Sequence, residues 1–320
     1  MYIEERECLT MFEHEDLMKL SENELWEELP KVEGELKSDF LYELSRRSFD
    51  KSDFKSALAL AEQSRDVILS LKDLTSDAEI LKTYLVVGLN AHKLGDHELV
   101  ISNMEKALEI AKANNLDKAE DYTILVDAYD AKDERKKSIA LLEWQFEKFN
   151  QADEDLECSS CLAQIALHYK ALEQLDLALT KLELALDFAK RSGDTNFTLL
   201  IQNYIADALY DLGNYVEAEK RVEKLITSFE LLNNKKSLVE MKYLKYQIMW
   251  MTGGNKKEII KSLKALALEI TEQDQESIDQ RIFLEKTIIN CLEDMGGWEN
   301  MKEAGKSKKR LEDLEELIKI

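Results

Sequence analysis

Residues 84–107 read YLVVGLNAHKLGDHELVISNMEKA, and the spacing of their apolar and small residues decides the fold. Tyr84, Val87, Gly88 and Ala91 recur at i, i+3, i+4 and i+7, which places them on one face of a helix. Gly95-Asp96 follows, and a glycine, asparagine or aspartate in the turn supplies the left-handed conformation that stops a helix. Beyond it Val100 and Ala107 stand seven apart, so a second helix presents modest side chains on one stripe. Such side chains let two antiparallel helices approach closely. The stretch therefore predicts helix, tight turn, helix.

The same unit recurs along the chain. Turn segments are read at Lys51-Ser52-Asp53-Phe54, Leu94-Gly95-Asp96-His97, Lys132-Asp133-Glu134-Arg135, Leu172-Glu173-Gln174-Leu175, Leu212-Gly213-Asn214-Tyr215, Gly253-Gly254-Asn255-Lys256 and Met295-Gly296-Gly297-Trp298. Their fourth residues are spaced by 43, 38, 40, 40, 41 and 42. A period near 40 is the mark of stacked supersecondary units. Ala57 and Ser64, Ala178 and Ala185, and Ala218 and Leu225 repeat the seven-residue stripe, and Leu162, Ile165, Ala166 and Tyr169 repeat the helical face. The repeats are expected near 40–75, 78–116, 119–152, 156–193, 196–234, 237–273 and 276–320.

Composition agrees. The 320 residues hold one proline and ten glycines, against roughly 16 and 22 at average usage. A sandwich or barrel needs many more turn residues. With 45% apolar residues the chain is too hydrophobic for disorder, despite a net charge of −22. That charge repels phosphate backbones and anionic membranes. No apolar run reaches membrane-spanning length, and the acidic start MYIEERECLT lacks a signal-peptide layout. The expectation is a cytoplasmic protein that binds neither nucleic acid nor membrane. Four cysteines are too few for a disulfide scaffold in a chain of this length.

The units resemble tetratricopeptide (TPR) repeats. Tyr84-Val87-Gly88-Ala91, then Gly95-Asp96, then Ala107 follows that family's skeleton. Ile205-Ala206-Leu209, Gly213-Asn214-Tyr215 and Ala218 follow it again. The period of about 40 and the missing closing proline point to the long-helix version, which bacterial peptide-pheromone receptors and several scaffold proteins resemble. The resemblance implies an all-α, right-handed α-solenoid of about seven TPR-like hairpins over residues 39–320. A HEAT-like array would satisfy the same periodicity. Residues 1–38 lie outside the repeat and read as an N-terminal helical cap or docking segment. It has a capping box from Ser21 to Glu24 and is broken by Pro30 and Gly34.

Catalytic motifs fail one by one. Gly305-Lys306-Ser307 lacks both the first glycine of a phosphate loop, which would fall at Asn300, and a preceding strand. Cys158-Ser-Ser-Cys161 has no second pair for zinc and no strand context for thioredoxin-like chemistry. His14-Glu15 and His97-Glu98 open like metalloprotease helices, but Met18 and Ile101 stand where the second histidine belongs. No cofactor or metal is expected, and no enzyme activity. At the C-terminus Glu312, Glu315 and Glu316 are placed to pair with the basic run Lys306 to Arg310 along one helix.

In a TPR array the first helix of each hairpin lines the concave face. Positions off the core stripe there are Arg46, Lys82, His92 and Lys93 in the first two units, Asp127 and Asp130 in the third, and Asn203, Asp207, Tyr210 and Asp211 in the fifth. Glu120 joins the third set, and the same count gives Leu244, Ile248 and Met251 in the sixth. Cations early and carboxylates later would orient an extended peptide, and Asn203 can both donate to and accept from a peptide backbone. The sequence thus reads as a non-enzymatic interaction module for a protein or peptide partner. A peptide-regulated receptor that sequesters a partner, and a structural subunit of a larger assembly, remain as alternatives, and a homo-oligomer is left open.

Overall fold

The first helices of six of the seven repeats are stopped by the same backbone device, and the seventh ends instead at Gly296 with ψ −172°. Gly95 at φ +71° donates its N–H to His92 O at 3.0 Å, and Asp96 N–H reaches Ala91 O at 3.0 Å. These two bonds satisfy carbonyls that a helix end leaves orphaned. Gly213 and Asn214 repeat them, to Tyr210 O and Leu209 O, both at 2.9 Å. Three turns do it without glycine: Ser52, Asp133 and Glu173 sit at φ +61°, +59° and +60°. The expectation of Gly, Asn or Asp at this place thus gives way to Ser and Glu in two hairpins. The hydrogen-bond pair, not the side chain, holds the turn.

The structure, a computed structural model, describes residues 17–114, 116, 118–270 and 274–317. Cys8, His14, most of the segment before Ser21 and the side chain of Glu120 lie outside the described residues. Among those described there are fifteen α-helices and no strand. Two compact units divide the chain, Met1–Asp153 and Glu154–Ile320.

The first unit contains α1 (Glu22–Glu28), α2 (Gly34–Asp50), α3 (Phe54–Ser70), α4 (Asp77–Leu94), α5 (His97–Asn114), α6 (Thr123–Ala131) and α7 (Arg135–Gln151). Helix α1 starts at the expected capping box: Glu24 N–H donates to Ser21 Oγ, and Ser21 N–H to Glu24 Oε2. A 3₁₀ turn at Leu29–Lys31, containing Pro30, then leads into α2. Leu17 and Leu25 pack with Phe40, Leu41 and Leu44 of α2 and Leu60 of α3, so this segment shares the apolar core of the first hairpin. From α2 to α7 successive helices pack pairwise, and α4 also touches α6. Gly88 of α4 is in the crossing with α5, where Met104 fills the space a Cβ would need.

The second unit contains α8 (Asp155–Ala171), α9 (Leu175–Ser192), α10 (Thr195–Asp211), α11 (Tyr215–Leu231), α12 (Lys235–Met251), α13 (Lys256–Glu269), α14 (Gln275–Met295) and α15 (Trp298–Leu317). Each helix packs on the next, and α10 touches α12, the first helices of neighbouring hairpins. The small stripes are buried as expected: Ala57, Ser64, Val100, Ala107, Ala178, Ala185, Ala218 and Leu225. A second core forms from Ile259, Leu263 and Leu266 of α13 with Leu284, Ile288 and Leu292 of α14 and Ala304 of α15.

The C-terminal charges pair differently from the sequence expectation. Arg310 reaches Glu285, Lys308 reaches Glu293 and Glu315 reaches Lys286, all between α15 and α14. Among these charges Lys306 pairs within its own helix, with Glu303. The basic run therefore ties two helices together.

Candidate functional site: a cleft on the first helices of the second unit

First helices carry a row of half-buried or exposed polar and aromatic side chains between core positions. On α10 the row is Asn203, Asp207 and Tyr210, on α12 Tyr243, Gln247 and Trp250, and on α14 Gln280, Phe283 and Thr287. The count from the turn explains the first two. Asn203, Asp207 and Tyr210 stand ten, six and three residues before Gly213, and Tyr243, Gln247 and Trp250 stand at the same offsets from Gly253.

Two adjoining cavities open along these rows. The larger, about 250 Å³, is lined by Asn203, Asp207, Tyr243, Gln247, Gln280 and Phe283, among others, with Leu244 and Leu284 in its wall. The smaller, about 130 Å³ and open on one side, is lined by Tyr210, Tyr243, Tyr246, Gln247, Trp250, Ile259, Leu263, Thr287 and Cys291. Tyr243 and Gln247 belong to both and form the partition. The Tyr243 ring meets Phe283 edge-on, with centroids 4.9 Å apart. Its hydroxyl lies 3.3 Å from Thr287 Oγ1, which itself donates to Phe283 O at 3.0 Å, so the tyrosine is the donor of that pair. Burial pushes the Tyr243 phenol up. The Gln280 amide nitrogen is buried in this wall with no hydrogen-bond partner among the described residues.

Charge at the α10 side is arranged around one lysine. Lys170 of α8 bonds both Asp207 and Asp211, the latter at 2.8 Å. Burial works against its ammonium, but the two carboxylates outweigh it and hold the lysine above its ordinary range. Tyr210 beside them is raised by burial first, then by Tyr215, Tyr243 and the two aspartates.

The residues marked out in the sequence divide between the two units. Asn203 and Asp207 line the larger cavity, Tyr210 lines the smaller, and Asp211 belongs to the Lys170 pair. In the first unit Arg46 is bound to Glu43 at 2.8 Å and to Asp50 at 2.9 Å along α2. Lys82 sits over the Tyr42 ring at 4.4 Å and near Glu79. His92 is half-buried, Lys93 and Asp127 are exposed, and Asp130 accepts from Ser138 Oγ at the foot of α7. Leu244 and Ile248, read from sequence as groove positions, are core residues at 4% and 0% exposure. The groove row of α12 lies one residue earlier, at Tyr243 and Gln247. Tyr243, Gln247 and Trp250 were missed for that reason, and the turn offsets were the signal that finds them; Gln280 and Phe283 of α14 were missed as well.

The cysteine pair is buried on α8. Burial, then Asp155, pushes the Cys158 thiol up to about 11, and burial, then Cys158, pushes Cys161 up to about 12. An activated thiol would be shifted the other way. Among the described residues no group of histidine, cysteine and carboxylate side chains could hold a metal, and no helix is long and apolar enough to cross a membrane.

Stacked hairpins with buried small stripes, left-handed turns of one hydrogen-bond pattern and a cleft on the first helices define a TPR-like helical repeat protein. No protein-family model and no curated protein matches the chain in sequence. Solved structures match it in shape. The STAND signal-transduction ATPase with a tetratricopeptide repeat sensor from Pyrococcus horikoshii aligns over 90% of this chain, with TM-score 0.61 and 14% identity. The chain spans 44% of that protein's length. The C-terminal part of a TPR repeat-containing protein from Cytophaga hutchinsonii aligns over 84% of this chain and 95% of its own (TM-score 0.57, 14% identity). The apo form of RapI aligns over 88% of this chain and 99% of its own, with TM-score 0.56 and 13% identity. At these identities the likeness is one of fold.

Proposed function

We propose that the chain is a non-enzymatic interaction module, and that its second unit holds an extended peptide segment of a partner across α10, α12 and α14. The observation that supports this is the 250 Å³ cleft, where Asn203, Gln247 and Gln280 amides stand beside the exposed edge of Phe283. Amides both donate and accept, which suits a peptide backbone. The aromatic rings supply apolar area at low entropic cost, which suits its side chains.

The test is peptide selection by phage display on the whole chain, followed by calorimetric titration of the selected peptide. Replacing Asn203→Ala and Gln247→Ala together is expected to weaken it by at least about tenfold, with the helical signal unchanged. Charge reversal at Asp127, in the first unit, is expected to leave it as it was. A peptide that binds equally well to the double variant and to Phe283→Ala removes the cleft from the mechanism.

A further inference from the structure

Resting on that reading, we infer that the 130 Å³ cavity between α10, α12 and α14 is a specificity pocket. It takes one bulky uncharged side chain, of leucine to phenylalanine size, from a peptide whose adjoining residue is cationic.

Volume and lining argue for the anchor. An apolar cavity of about 150 Å³ holds a benzene molecule and stays dry when nothing polar in it needs a partner. Here the walls are Tyr210, Tyr243, Tyr246, Trp250, Ile259 and Leu263. Two polar groups of this lining are engaged with each other and with the backbone: Tyr243 donates to Thr287, and Thr287 donates to a backbone carbonyl, so these two offer water little. A cation is also poorly served, because Lys256 already sits over the Trp250 ring at 4.5 Å. An aliphatic or aromatic group displaces weakly held water and fills the space, the usual character of an interface anchor.

Backbone and charge argue for the rest. The pocket shares its Tyr243–Gln247 wall with the larger cavity, where the buried Gln280 nitrogen has no acceptor among the described residues. A buried donor left so costs about 1–3 kcal/mol, and a peptide carbonyl crossing the partition would recover it. Asp207, which lines the same larger cavity, shares the Lys170 ammonium with Asp211, so the pair of carboxylates keeps one negative charge in excess beside the cleft. In a chain of net charge −22 the field reinforces it. A lysine or arginine next to the anchor meets that excess, whereas an acidic neighbour is repelled.

Cys291 lines the pocket and reports its occupancy. The wild-type chain is treated with methyl methanethiosulfonate at mildly alkaline pH, and modification of Cys291 is followed by mass-spectrometric mapping. Saturating benzene is expected to slow it by at least about fivefold. The peptide acetyl-Ala-Lys-Phe-Ala-amide is expected to do the same at concentrations about tenfold lower than its Lys-Asp or Glu-Phe counterparts. If benzene gives no protection, the cavity is not a ligand site. If benzene protects but the three peptides protect equally, the assigned anchor and neighbour are wrong. Failure of peptide selection on the intact cleft would instead overturn the interaction reading, while leaving the benzene result standing.

Discussion

Tyr243 and Phe283 meet edge-on across α12 and α14, with ring centroids 4.9 Å apart, and the pair stands where the larger cavity is walled. Phe283 remains 53% exposed, so a large aromatic face is held in place but left uncovered. An edge-on pair contributes about 0.5–1.5 kcal/mol beyond burial. Phe283→Ala is therefore expected to lower unfolding free energy by only about 1 kcal/mol, read from urea titration. The same change should weaken a cleft-selected peptide by at least about tenfold. A large stability loss with unchanged binding would make Phe283 a core residue.

Lys170 joins α8 to α10 through Asp207 and Asp211, and it is the cation that offsets both. Removing it leaves two carboxylates facing each other beside Tyr210. Lys170→Met is expected to destabilise the unit by about 1 kcal/mol, modest because all three groups are partly exposed. It should also raise affinity for a cationic peptide by on the order of fivefold at low salt, with the gain fading as salt screens the site. Calorimetry at two ionic strengths measures both. A loss of affinity would show that Lys170 itself contacts the peptide.

Glu173 occupies the left-handed position of the α8–α9 turn at φ +60°, the place Gly213 fills two helices later at +74°. A side chain there costs roughly 1–2 kcal/mol, part of which the unfolded-state freedom of glycine cancels. Glu173→Gly should raise stability by about 0.5–1 kcal/mol, and Gly213→Glu should lower it by a similar amount. Thermal unfolding of the two variants decides. An unchanged melting point for both would mean that the hydrogen bonds to Lys170 O and Tyr169 O set the turn at no steric cost.

That turn also marks where the sequence was readable. Period, turn positions and the small stripes at Ala107, Ala185 and Ala218 follow from spacing alone, because helix crossings tolerate few residue types. Ser52 and Glu173 were readable as turns only from the period, since neither residue type favours the left-handed region. The cleft was half legible. Asn203, Asp207 and Tyr210 sit between core positions of a cleanly amphipathic α10. On α12 the apolar residues Leu244, Ile248 and Trp250 crowd two faces, so pattern alone misassigned the register by one residue. The Gln280–Phe283 row lies on α14, whose 21 residues exceed the 17 of α10 and α12. Offsets counted from its turn no longer point to the cleft.

Gly88 and Met104 meet closely where the two helices of the first unit's second hairpin cross. A Cβ on Gly88 would stand 2.5 Å from Met104 Sδ and 2.8 Å from its Cγ. Met104 is fully buried, so it has no solvent side to swing toward. Alanine improves helix propensity by up to about 1 kcal/mol, while overpacking costs about 1–3 kcal/mol. Gly88→Ala should thus destabilise by about 1 kcal/mol. Combined with Met104→Ala it should cost less than the sum of the two single changes, because the truncated side chain makes the room. Strict additivity in denaturant titrations would show that the crossing has slack.

Glu43 is 2% exposed and is held by Arg46 at 2.8 Å and Arg47 at 2.7 Å, while Arg47 also donates to Leu17 O at 3.2 Å. The carboxylate thereby links α2 to the segment that shares its apolar core. Burial pushes the carboxyl up, but the hydrogen bonds from Arg46 and Arg47 outweigh it, so the folded group titrates below its ordinary value of 4.5. A depressed carboxyl stabilises the fold fully above the unfolded value, and that stabilisation is lost as pH falls through the folded one. Glu43→Gln should cost about 2 kcal/mol at neutral pH, the scale of hydrogen bonds to a charged group. The difference from wild type should shrink steadily as pH drops below 4.5, since the protonated wild type then resembles the variant. Urea midpoints of both proteins across pH 3 to 7, a window of roughly this span, measure it. A gap that stays constant down to the acid end would mean that packing, not charge, is what Glu43 contributes.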